Sequence, residues 1–199
     1  MVKQVYQFKI TLMDIQPEIW RIIQVPDHYS FWDLHVAMQD AMGWLDCHLH
    51  EFNFAGDSAL ISIGMPDEES NESNTLLGWE VNIKTHFEKV GTIARYSYDF
   101  GDGWEHQILL EAILALDNTI HYPACVAGER ACPPEDCGGV PGFEELLATL
   151  KHGKASEKKE LNQWLKDHAK NYYPYLPEEF DPQAVKFDDP EIRWANTFS

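Results

Sequence analysis

The stretch "ARYSYDFGDGWEHQILLE" constrains this chain most, because its pattern fits one backbone course. Tyr96, Tyr98 and Phe100 alternate along one arm, and Trp104, His106, Ile108 and Leu110 along the other. Period-two alternation marks a half-buried strand. Between the arms Gly101, Asp102 and Gly103 suit the positive backbone angles of a tight reversal, so the segment reads as a hairpin with an aromatic face. Its "DFG" matches the kinase magnesium motif in letters only: no glycine-rich loop or catalytic-loop pattern accompanies it, and the hairpin accounts for each residue.

Other elements follow from the same reasoning. Tyr6, Phe8, Ile10 and Leu12 alternate against Gln7, Lys9 and Thr11; Asp14 to Glu18, with Pro17, interrupts, and "IWRIIQV" resumes as a second strand. Ser30 with Asp33 forms a capping-box start, Phe31, Leu34, Met38, Ala41 and Met42 share one face, and Gly43 suits a left-handed stop, which predicts a helix over 30–43. "HLHEFNF" puts His48, His50, Phe52 and Phe54 on one side of a third strand. "VNIKTHFEKVG" reads as a short helix ending at Gly91.

Residues 64–75 read as an exposed acidic loop whose carboxylates lack the ligand spacing of an EF-hand. Phe143, Leu146, Leu147 and Leu150 recur at helical spacing up to Gly153, and Leu161, Trp164, Leu165 and His168 do so again after Ser156. The tail, 172–199, is rich in proline and aromatics. It is expected to lie extended across the body, because so many large apolar side chains are costly to leave in water.

The expectation is a single α+β domain over 1–199: a mixed, mostly antiparallel sheet of about five strands with extra C-terminal helices. Its opening strand-strand-helix-strand order is β-grasp-like, an analogy of order that carries no function. A hydrophobic content of 44% is that of a globular chain. The N-terminus has no apolar run behind a basic one, and no apolar stretch approaches the roughly 20 residues of a membrane span, so a soluble cytoplasmic protein with no membrane partner is expected.

The net charge of -18 repels phosphate backbones and argues against direct nucleic-acid binding. Lys151, Lys154, Lys158, Lys159, Lys166 and Lys170 crowd one segment, but Glu157, Glu160 and Asp167 are interleaved, as on a solvated helix face. An accessory nucleic-acid contact there is the alternative.

Three of four cysteines fall in "CVAGERACPPEDCGG", from Cys125 to Gly139; Cys47 is left over and reads as structural. In a reducing compartment such a group reads as metal ligands, a redox set or small packing residues rather than disulfides. The spacings fit neither a zinc knuckle nor a thioredoxin-like motif. If the strands carrying His50 and His106 are neighbours, those imidazoles could face a loop carrying Cys125 and Cys137, a two-histidine, two-cysteine set suited to zinc. The other reading is that each histidine hydrogen-bonds within the sheet, and that "PPEDCGG" is a rigid turn launching a helix near Pro141. A third is a Cys137 nucleophile with His106 or His50 as base.

Three blocks together, "FKITLMDIQPEIWRIIQVP", "YSYDFGDGWEHQILLE" and "YPACVAGERACPPEDCGGVPGFEELL", resemble the plasmid pRiA4b ORF-three-like family, as do the Trp20-Arg21 pair and the "FDP" at Phe180 to Pro182. The resemblance runs from about Gln4 to about Val185. It implies an accessory role in mobile-element biology, since some members are encoded on plasmids or beside transposases, and it assigns no catalytic residue. The leading functional expectation is therefore an accessory or protein-interaction module with a protein partner; a metal- or thiol-dependent enzyme is the alternative.

Overall fold

A computed structural model describes residues 4–55, 60–65 and 75–197. Most of the acidic 64–75 loop thus lies outside the described residues. The chain folds as one mixed sheet flanked by helices. Strand β1 (Gln4–Leu12) pairs antiparallel with β2 (Ile19–Pro26), Leu12 opposite Ile19, and its alternation buries Tyr6, Phe8, Ile10 and Leu12. Helix α1 (Phe31–Met42) begins with the expected capping box, Ser30 against Asp33, and stops at Gly43 in the left-handed conformation. Next come β3 (His50–Ala55), β4 (Leu60–Gly64) and the two-residue β5 (Leu76–Leu77). The aromatic hairpin is β6 (Ile93–Tyr98) with β7 (Trp104–Ala115), and β8 (Ala124–Glu129) closes the sheet.

Among the described residues the sheet has eight strands in the order β5-β4-β3-β6-β7-β1-β2-β8, antiparallel except for β4 against β5. It is larger than the sequence predicted, because β4, β5 and β8 are short or at the margins, where one face or one edge pairs weakly and alternation fades. The opening strand-strand-helix-strand order is present, with β6 and β7 inserted between β3 and β1.

The hairpin ends earlier than its alternation suggests. Asp99 and Gly103 take the positive φ angles, and Phe100, past the end of β6, is 54% exposed. The segment expected to be a helix ending at Gly91 holds only a 3-10 turn, Ile83–Thr85. From it Phe87 inserts into the core, edge-on to Phe8 at 4.7 Å and near Phe31. Burying such a ring contributes about 1.5–3 kcal/mol.

Helices α2 (Gly139–His152) and α3 (Ala155–Asp167) match the predicted pair and bury Phe143, Leu146 and Leu165. The tail crosses the β8 margin, where Phe180 packs against Gly128, and then departs from the extended expectation by forming α4 (Pro190–Thr197) against α1. Arg21 links these parts. It is 1% exposed, yet its guanidinium donates to the carbonyls of Ala41, Trp20, Glu129 and Arg130, which ties the end of α1 to the segment leading into "PPEDCGG". The Phe180 ring covers it, centroid 3.5 Å away. A buried guanidinium is tolerable only with its donors matched in this way.

Candidate metal centre

The two acidic turns of the sequence meet in space. Asp99 opens the β6–β7 reversal, and its Oδ1 accepts the backbone N–H groups of Gly101 and Asp102. Asp102 then reaches the "PPEDCGG" loop, its Oδ2 accepting the N–H of Gly138. Gly139 packs so closely on the carbonyl oxygen of Asp102 that a side chain there would collide with it, and it also holds φ at +66°. The paired glycines serve this backbone-to-backbone approach. A third segment, the lead-in to β3, is tied to the first by the N–H of Asp99 donating to Leu49 O.

His48 lies at this junction, partly open to solvent. Its Nε2 is 3.1 Å from Asp136 Oδ1, 3.6 Å from Asp99 Oδ2 and 4.0 Å from Glu135 Oε2. Two overlapping triads share it: Cys47, His48 and Glu135, and His48, Asp99 and Asp136. In each, one donor atom per residue falls within 4.8 Å of the others.

Glu135 is fully buried. Its Oε1 accepts from Leu45 N–H at 2.6 Å and from the Tyr98 hydroxyl at 3.1 Å, while its Oε2 has no hydrogen-bond partner and lies on the His48 side. Burial pushes its pKa up, opposed by the Leu45 N–H, the Tyr98 hydroxyl and His48. An orphaned buried carboxylate oxygen beside an imidazole nitrogen, which is itself flanked by the carboxylates of Asp99 and Asp136, is an arrangement that a cation would complete. In a tetrahedral zinc site with bonds of about 2.0–2.1 Å, donor atoms stand about 3.3 Å apart. The distances around His48 Nε2 bracket that value.

The histidine-cysteine set expected from sequence does not gather. His50 on β3 and His106 on β7 are separated by β6, and Cys125 on β8 is five strand positions from His50, about 24 Å at the usual inter-strand spacing. Cys125 faces Ala127 O, and Cys137 lies beside Asp102. The alternation holds for His50 and His106, both buried, but β6 stands between their strands, so the condition that the strands be neighbours is not met. His106 packs edge-on to Trp44 and keeps one nitrogen against Tyr96 O at 3.3 Å. Cys47, expected to be structural, belongs to the junction instead.

The thiol-nucleophile reading meets a second obstacle. Burial drives the Cys137 pKa up to about 12, with Asp102 adding to it, and burial also raises Cys47, Cys125 and Cys132. A nucleophilic thiol needs the opposite direction. His106, its candidate base, is held down to about 4 by burial.

A further cluster, His35, Asp46 and His50, is buried beneath α1. His35 bridges Tyr96 Oη at 2.8 Å and Asp46 Oδ1 at 2.6 Å, and its ring stacks on His50 at 3.4 Å, 9° from parallel. A metal bound by imidazole lies in the ring plane, so two stacked rings cannot share one without turning. Desolvation, and then His35, hold His50 well below the ordinary imidazole range. As arranged, the two rings pack face to face, and His50 Nδ1 is left without a hydrogen-bond partner.

The site was half legible. The sequence pattern points to His48, but as a sheet residue, and puts Glu135 and Asp136 in a turn; Asp99 falls within the strand arm and draws no notice. The signal that could have found them is that "DFGDGWEH" and "PPEDCGG" each pair acids with glycines.

The family model described as plasmid pRiA4b ORF-3-like protein matches residues 4–188. An uncharacterized protein of Sinorhizobium fredii, y4hQ, is 31% identical over 196 residues, 98% of this chain and 96% of that protein. The crystal structure of MM3350 from Methanosarcina mazei Go1, a protein of unknown function, is 39% identical with a TM-score of 0.80, covering 94% of this chain and 100% of that one. The chain belongs to the plasmid pRiA4b ORF-3-like family.

Proposed function

We propose that the protein is a single-domain, metal-binding accessory module, in which a divalent cation sits at the junction of the three loops. Zinc suits the donors that share His48: Cys47 and Glu135 in one triad, Asp99 and Asp136 in the other. The observation that carries this reading is the unpartnered, buried Oε2 of Glu135, 4.0 Å from His48 Nε2. The cation would neutralise the acids and pin the loops that launch β3, β7 and α2. Asp136, with its side chain 59% exposed, leaves one side of the shell open to water or to a donor group from a protein partner.

Direct nucleic-acid binding has little support. The lysine segment lies on α2, α3 and the turn after it, where Lys154 pairs with Glu157 at 3.9 Å. Among the described residues no helix is long and apolar enough to cross a membrane. The test is a zinc titration of chelator-treated protein by calorimetry. One equivalent is expected to bind, with affinity falling at least tenfold in Glu135→Gln. Absence of saturable binding, or an unchanged Glu135→Gln variant, would overturn the reading.

A further inference from the structure

The loop junction has a fourth side, formed by the segment that follows α3. The helix stops at His168, and the chain then turns back, with Asn171 N–H donating to His168 O and Tyr172 N–H to Leu165 O. This turn is tied to both parts of the chain that carry the junction's donors. The Lys170 ammonium donates to the carbonyls of Gly43 and Trp44, a few residues before Cys47 and His48. The Tyr172 hydroxyl accepts the N–H of Glu135 at 3.2 Å.

His168 is thereby set against Asp136. Its side chain is only 10% exposed, and its ring lies between Trp164 and Tyr172, with centroids 5.7 and 4.9 Å away. Its Nδ1 accepts the N–H of Lys170 at 3.3 Å, so in the neutral ring the proton is on Nε2. That nitrogen stands 3.9 Å from Asp136 Oδ2, while Asp136 Oδ1 is 3.1 Å from His48 Nε2. Asp136 therefore has one oxygen toward each of two imidazoles. It needs such a hold, because an exposed carboxylate has rotamer freedom that a metal ligand must give up.

We propose that His168 is a positioning residue of the metal centre, whose Nε2–H takes the outer oxygen of Asp136 and turns the inner one toward the cation. The inference rests on the metal reading above and adds a residue outside both donor triads. Carboxylates that bind metals are themselves hydrogen-bonded in this way by an outer shell. A direct hydrogen bond requires Oδ2 to come about 1 Å nearer, a movement open to an exposed aspartate side chain. His168 is not a ligand itself, since its nitrogens belong to none of the tight donor groups among the described residues.

The test uses full-length, chelator-treated protein and zinc alone. Calorimetry compares the parent with His168→Phe, which keeps a ring between Trp164 and Tyr172 but has no donor, and with His168→Gln, which returns an N–H donor near the place of Nε2. His168→Phe is expected to weaken zinc binding about tenfold, and His168→Gln to stay within about threefold of the parent. Because the effect passes through Asp136, His168→Phe should change affinity by less than about twofold when made in Asp136→Asn protein. If His168→Phe does not fold, long-range nitrogen–proton NMR spectra of the parent decide: His168 should appear as the Nε2–H form, with its Nε2 resonance shifting on addition of zinc. Unchanged affinity in His168→Phe, an undiminished effect in Asp136→Asn protein, or a His168 resonance unmoved by zinc would overturn the inference and leave the metal reading standing. A parent that binds no zinc would overturn both.

Discussion

Gly139 lies directly against the carbonyl oxygen of Asp102, with no space between them for a β-carbon. The reversal of the aromatic hairpin and the loop after Cys137 are thereby fixed to each other, and the junction around His48 depends on that fit.

Gly139→Ala is therefore expected to destabilise the protein by about 2–4 kcal/mol, from the positive φ and the steric conflict together. Gly91 supplies the control. Its φ is +91°, but nothing lies within 4 Å of where its β-carbon would be. Gly91→Ala should cost only about 1 kcal/mol, the backbone part alone. Urea denaturation of both variants separates the two contributions.

Arg21→Ala removes the guanidinium from four carbonyl oxygens in a nearly sealed environment. A loss of about 3–5 kcal/mol is expected, because unsatisfied buried acceptors remain. Thermal melts should show it, together with increased hydrogen exchange at the amides of residues 129–131.

His106 gives the protein an acid-side sensitivity. Burial lowers its pKa from the ordinary 6.5 to about 4 in the folded state, so the folded protein binds fewer protons than the unfolded chain. Its contribution is complete above about pH 6.5 and is lost as pH falls towards about 4. The amount is about 3 kcal/mol at most. Stability measured across that range should fall less steeply in His106→Asn than in the parent, with His50 supplying the remaining slope.

Cysteine substitutions distinguish the loop junction from the histidine-cysteine set. Cys125→Ser and Cys137→Ala should leave zinc affinity within about threefold of the parent, a difference under about 1 kcal/mol. His48→Ala should lower it at least tenfold. At neutral pH Cys132 and Cys137 should alkylate slowly, since burial raises both thiols. Mass spectrometry of iodoacetamide-treated protein checks this.

The sequence was most informative where alternation is strong and both faces differ. β1, β2, β3, β6 and β7, with α1 and its caps, could be read from burial periodicity. β8 could not: "ACVAGE" carries small residues, and its strand character comes from pairing with β2. The site failed for a related reason. β3 begins at His50, so His48, two residues earlier, sits in the lead-in and not on the sheet face. Its meeting with residues 99, 135 and 136 is a product of strand order, which periodicity does not encode.

The most direct test of the central claim is an anomalous difference map, at the zinc absorption edge, from crystals of the protein grown with zinc. A single strong peak is expected about 2.0–2.2 Å from His48 Nε2 and from a carboxylate oxygen of Glu135. A map with no peak there, or with its peak at Cys125 or Cys137, would contradict it.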